Sequence, residues 1–111
     1  MPHCIIEHSS TISAEKLNNK VFLGALNSEL FEADGRDIKV RSIAYENYQT
    51  GTEKEDFIHV TVRILSGRSD TDKAMLSETV MTQLLSLSLS RASFTVEVVD
   101  MDRHSYAKVV V

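Results

Sequence analysis

Apolar and polar residues alternate along the chain in two periods, and the alternation occurs twice. Pro2 to Glu7 carries the apolar run Cys4-Ile5-Ile6 and reads as a first strand. A polar stretch from Ser9 to Ser13 follows, with Ser13 placed as an N-cap and a helix from Lys16 onward. Leu17, Val21, Leu26 and Leu30 recur near helical spacing as one apolar stripe, and Gly35 offers a stop. Ile38 to Tyr48 reads as a second strand, with Ile38, Val40 and Ser42 on one face and Lys39, Arg41 and Ile43 on the other. Thr50-Gly51-Thr52 and the charged Glu53-Lys54-Glu55 make an exposed connection, and Glu53, Glu55 and Asp56 read as a solvated charge cluster.

Residues 53–111 repeat the plan. Phe57 to Leu65 alternates Ile58, Val60 and Val62 against His59, Thr61 and Arg63. Ser66-Gly67 breaks that strand, and Ser69 or Asp70 caps a helix whose stripe is Leu76, Val80, Leu84 and Leu87. The Leu-Ser alternation from Leu85 to Ser90 fits a helix end or a strand. Phe94 to Val99 reads as a further strand and Ala107 to Val111 as a short terminal one. Each half, 1–52 and 53–111, is therefore strand, helix, strand. Crossovers of helical length favour parallel pairs with right-handed connections. Two such units give an α+β domain: a four-stranded sheet with both helices on one face. The other face would lie bare, and an apolar face of that size predicts self-association.

At 111 residues the chain is one domain with a modest core. Net charge is −4 and no basic run tracks a phosphate backbone, which argues against a nucleic-acid partner. No segment is apolar enough to span a membrane, and the first residues lack the layout of a signal peptide. The single cysteine, Cys4, reads as a small core residue and fits a reducing cytoplasm. The four histidines, His3, His8, His59 and His104, show no ligand spacing, and the four glycines form no phosphate loop. Nothing in the sequence implies a metal or an organic cofactor.

Three residues carry candidate chemistry. Pro2 is the only proline and follows Met1 directly. If Met1 is removed, Pro2 presents a secondary amine, and an α-amino group titrates at about 8. Burial and nearby cations lower an ammonium pKa further, toward the range a general base needs. Arg41 stands within the second strand and Arg68 in the turn Ser66-Gly67-Arg68-Ser69. An arginine fork grips carboxylates, and a helix start favours anions. Either arginine alone reads first as a solvated surface charge. Together with a proline base they make a site for a small anionic keto or enol acid.

Met1-Pro2-His3 with Ile5 and Glu7, then Val40-Arg41-Ser42, Phe57-Ile58-His59-Val60-Thr61 and Gly67-Arg68-Ser69 resemble the 5-carboxymethyl-2-hydroxymuconate delta-isomerases of the tautomerase superfamily. The resemblance spans most of the chain in order and approximate spacing. It implies a homotrimer of paired β-α-β units with a mixed four-stranded sheet, and a cofactor-independent isomerase. It further implies conversion of a 2-hydroxy-dienoate of homoprotocatechuate breakdown into its β,γ-unsaturated 2-oxo isomer. Pro2 would shuttle the proton as general base, while Arg41 and Arg68 would bind carboxylate and stabilise enolate charge. The segment after Val98 is shorter than in the family, and Tyr48 to Glu55 matches it poorly. Those departures bear on the substrate, so a phenylpyruvate-like enol, or a trimeric binding module without turnover, stands beside the first reading.

Overall fold

The computed structural model describes all residues, Met1–Val111. Its elements run β1 (His3–Ser9), α1 (Ala14–Asn27), β2 (Lys39–Tyr45), β3 (Asp56–Leu65), α2 (Asp70–Leu85) and β4 (Ala92–Met101). The sheet order is β2-β1-β3-β4. The β1–β2 and β3–β4 pairs are parallel and the central β1–β3 pair is antiparallel, so the two β-α-β halves meet back to back in a mixed sheet.

Alternation decides which face is covered. Cys4, Ile6 and His8 of β1 and Ile58, Val60, Val62 and Ile64 of β3 are buried under the helices. Leu17, Val21 and Ala25 of α1 and Leu76, Val80 and Leu84 of α2 close that core. Both helices start as the sequence implies, with the Ser13 and Ser69 hydroxyls accepting from the amides of Lys16 and Asp72. The helices touch at Gly24, where an added Cβ would stand 2.6 Å from the Cα of Val80. Only glycine permits so close an approach of two backbones.

Four boundaries differ from the sequence reading, each for a local reason. Helix α1 stops at Asn27, short of Leu30 and Gly35. Ser28 caps it, with its hydroxyl donating to Ala25 O at 2.6 Å, and Glu29 turns away at φ 61°. Gly35, at φ 74°, instead makes the next turn beneath Phe22. Strand β2 ends at Tyr45, not Tyr48, because its only partner, β1, ends opposite it at Ser9. Strand β4 runs from Ala92 to Met101, beyond Phe94–Val99, because it pairs with β3 along its whole length. The Leu85–Ser90 run is a helix end and turn, with Ser88 at φ 54° and Arg91 at φ 55°.

The terminal strand expected at Ala107–Val111 does not form. Asp102 nucleates a turn, its carboxylate accepting from the His104 amide and the Ser105 hydroxyl at 3.1 Å. The chain is thereby brought to His3 of β1, whose two edges are already taken by β2 and β3.

The uncovered face also departs from expectation. It is not a broad apolar surface. The strand register sets Lys39, Arg41 and Ile43 beside His3, Ile5 and Glu7, and these beside His59, Thr61 and Arg63, with Thr95, Glu97 and Val99 at the far edge. Charged and hydrogen-bonding side chains outnumber the apolar ones. The connection at 49–55 is likewise more than solvated charge: Arg91 holds Glu53 at 3.0 Å and Glu55 at 2.9 Å, and Asp56 accepts from Ser9 and Thr11.

Candidate active site

Pro2 sits where β1 begins, and its ring is fully buried. Its carbonyl accepts from the amide of Lys39 at 3.1 Å, so the start of β1 is fixed against β2 before the first regular strand residue. The chain thus holds Pro2 by backbone pairing and by burial together.

The charge around this point is cationic in a chain whose net charge is −4. Burial lowers the ammonium pKa of Met1 from its ordinary value. Asp37 opposes that effect, while Lys108, Arg68 and Lys39 reinforce it. Arg68 enters from the turn before α2 and donates to the carbonyl of Leu30, just past α1. Its guanidinium lies 6.0 Å from the ring centroid of Phe31, which packs on the core. Gly67 beside it adopts φ 119°, a conformation that favours glycine, and the guanidinium of Arg103 lies about 3.6 Å from where its Cβ would be.

Arg41 has different surroundings. It is opposite Ile5 in the register, on the uncovered face, and its Nη1 lies 3.1 Å from Nδ1 of His3. The Nε2 of His3 lies 2.9 Å from the hydroxyl of Tyr106, and the two rings meet edge to face at 6.0 Å. Burial lowers the pKa of His3, followed by the positive charges of Arg41, Lys39, the amino terminus and Arg63. Within one chain, therefore, Arg41 lies on the uncovered face of the sheet, while Arg68 stands in the turn before α2 against the segment that follows α1.

The remaining histidines have other partners. His59 bonds Thr95 at 2.7 Å and Glu97 at 2.6 Å on the uncovered face, and His8 is buried with Nδ1 at 2.8 Å from Ser9 O. No group of three His, Cys, Asp or Glu side chains is placed to hold a metal ion. No helix is long and apolar enough to cross a membrane.

Sequence reasoning singled out Pro2, Arg41 and Arg68 but missed Lys39, His3, Tyr106 and Lys108 as their neighbours. The alternation of β1 held a usable signal for His3, since it places that residue on the face opposite Cys4 and Ile6. Tyr106 had none, because its position depends on a turn at Asp102.

Solved structures with the same arrangement include a 5-carboxymethyl-2-hydroxymuconate delta-isomerase at TM-score 0.75 and 16% identity, covering 100% of this chain and 89% of that one. A 5-carboxymethyl-2-hydroxymuconate isomerase from Deinococcus radiodurans R1 matches at TM-score 0.76 and 17% identity, over 97% and 88%. A fused 4-OT wild type symmetric trimer matches at 0.73 and 12%, over 90% and 87%. The fold is that of the tautomerases. Residues 2–106 match the model of the 5-carboxymethyl-2-hydroxymuconate isomerase family, and the chain belongs to that family. A curated relative, a structural protein (ORF43) of Trichoplusia ni ascovirus 2c, is 28% identical over 85 residues, which are 77% of this chain. The chain spans only 8% of the length of that protein.

Proposed function

We propose that the protein is a cofactor-independent isomerase of 2-hydroxy-dienoic acids, with 5-carboxymethyl-2-hydroxymuconate as the favoured substrate and Pro2 as its general base. The observation that carries this reading is the family match beginning at residue 2, at a buried proline whose preceding ammonium feels Lys108, Arg68 and Lys39 as well as Asp37. Removal of Met1 frees the prolyl nitrogen. The surroundings that lower the Met1 ammonium pKa would act on a prolyl ammonium in the same direction, favouring the neutral base. That base takes a proton from the substrate at oxygen or C3 and returns it at C5, so the reaction is a net transfer within the substrate. Arg68 and Arg41 bind carboxylate and stabilise the enolate charge that develops meanwhile.

Arg41 and Arg68 have separate partners within one chain, His3 and Leu30, and a site shared between copies of the chain would bring one arginine from each to a single small substrate. A homotrimer provides such a shared site, and one similar solved structure is described as a symmetric trimer. The partners are thus further copies of the chain and a small anionic keto or enol acid, and a cytoplasmic setting suits the reduced Cys4.

The test is an ultraviolet assay of Met1-free protein against a panel of 2-hydroxy-dienoic acids and aryl-pyruvate enols. Turnover of phenylpyruvate enol alone would keep the chemistry and change the substrate. Absence of any turnover by protein shown to lack Met1 would sink the enzyme reading. It would favour a binding module, a role in keeping with the viral structural protein among its relatives.

A further inference from the structure

The uncovered face carries its cations toward one end and one edge, and Glu97 stands level with Arg41 across the sheet on the opposite edge strand. At the end nearest Pro2 it carries His3, Lys39, Arg41 and Arg63, and after burial the charges of the three cations lower the pKa of His3. At the other end Glu7 accepts from Tyr45 at 2.8 Å, and at the far edge Glu97 accepts from His59. Tyr106 is folded onto the cationic end by the turn at Asp102. A cleft of about 350 Å³ opens there between Arg63, Asp100, Met101, Asp102, Ser105 and Tyr106.

The hydrogen bonds at this end have a fixed direction. A guanidinium has donors only, so Arg41 must donate and Nδ1 of His3 must accept. The ring proton of a neutral His3 is then on Nε2, and it is donated to the Tyr106 oxygen. The phenolic oxygen accepts, and its own proton is left to point away from His3. Arg41, His3 and Tyr106 thus form a directed chain that ends in a free O–H, with Arg63, Asp100 and Asp102 lining the cleft beside it.

We propose that the Tyr106 hydroxyl donates a hydrogen bond to a carboxylate of the ligand held by Arg41, with His3 as the positioning residue that orients it. The inference rests on the reading that Arg41 binds an anionic acid, and it adds a specificity determinant for a dicarboxylate over a monocarboxylate. Lys39 and Arg63 draw the second carboxylate to this face, and Tyr106 fixes it. A neutral His3 is required, because imidazolium cannot accept from Arg41.

The experiment is calorimetric binding of muconate, a dicarboxylate lacking the 2-hydroxyl, to wild type, Tyr106→Phe, His3→Ala, His3→Gln and the His3→Ala/Tyr106→Phe double variant, alongside steady-state kinetics. Loss of a hydrogen bond to a charged group should weaken muconate binding about tenfold in Tyr106→Phe. His3→Ala should match that loss. His3→Gln, whose amide can accept from Arg41 and donate to Tyr106, should recover most of it. The double variant should be no weaker than either single one, since both break the same chain. KM should rise more than kcat falls. Unchanged muconate affinity in Tyr106→Phe, multiplied losses in the double variant, or no muconate binding to wild type would each overturn the proposal. Normal isomerisation with an inert Tyr106→Phe would overturn it while leaving the isomerase reading intact. The expected muconate series in a Met1-free protein without turnover would do the reverse.

Discussion

Arg41 and Arg68 have separate partners within one chain: Arg41 lies against His3 on the uncovered face of the sheet, and Arg68, in the turn before α2, donates to the carbonyl of Leu30 just past α1. In the proposed trimer, one substrate gripped by both lies between copies of the chain. Arg41→Ala and Arg68→Ala proteins, each nearly inactive, should regain partial activity when unfolded together and reassembled, because some mixed sites then receive both arginines. Activity no higher than the sum of the separate variants would place both residues in one subunit's site or in none.

Removal of Arg68 alone should cost about 3 kcal/mol of transition-state stabilisation, on the order of a hundredfold in kcat/KM, if it opposes enolate charge as an oxyanion donor does. Its fold should survive, since Arg68 is exposed and contributes little to the core. Circular dichroism beside the kinetics separates the two effects. Wild-type kinetics would return Arg68 to the role of a surface charge.

Gly24 predicts a stability effect with no link to the site. A Cβ there meets Val80 Cα at 2.6 Å and Thr79 O at 3.0 Å, and neither backbone atom can move without shifting α2. Gly24→Ala should destabilise by about 1–3 kcal/mol despite the better helix propensity of alanine. Urea unfolding measures it, and a gain in stability would show that the helices slide apart freely.

Burial pushes the Cys4 thiol up to about 12, so it is protonated at neutral pH and shielded by the core. Iodoacetamide should modify it only as the protein unfolds. Rapid labelling under native conditions would contradict the packing of β1.

Because its folded pKa is lowered, His3 binds protons more readily in the unfolded chain. Its contribution to stability is complete above the ordinary histidine value, about 6.5, and is lost as pH falls through that value toward the folded one. His3→Gln should flatten this part of the stability profile. An unchanged slope below neutrality would show that His3 is not held neutral by the fold.

The sheet and its two covering helices were legible because alternation and helical spacing dominate where one face is buried, as at Ile58-Val60-Val62 and Leu76-Val80-Leu84. Strand limits were less so, because Tyr45 is the last residue of β2 only by virtue of where β1 ends. Gly24 carried no local signal, since its reason is the opposing helix. Pro2, Arg41 and Arg68 stood out by position and by their resemblance to the family. Their separate partners did not, because Arg68 reaches Leu30 only through the turn after β3 and the path of the chain past α1. The polar character of the bare face was not legible, because it appears only when His3, Arg41, His59 and Arg63 are aligned across strands.

The account depends most on a free prolyl nitrogen at Pro2. Protein should be prepared in two forms, shown by intact mass to carry or to lack Met1 on every chain, and assayed on 5-carboxymethyl-2-hydroxymuconate across pH. The processed form should isomerise it at a rate that rises with pH through the pKa of Pro2, below that of an ordinary terminal proline, and then levels off. The form retaining Met1, whose prolyl nitrogen is an amide, should have almost no activity. Equal rates from the two forms would contradict Pro2 as the base and the mechanism built on it.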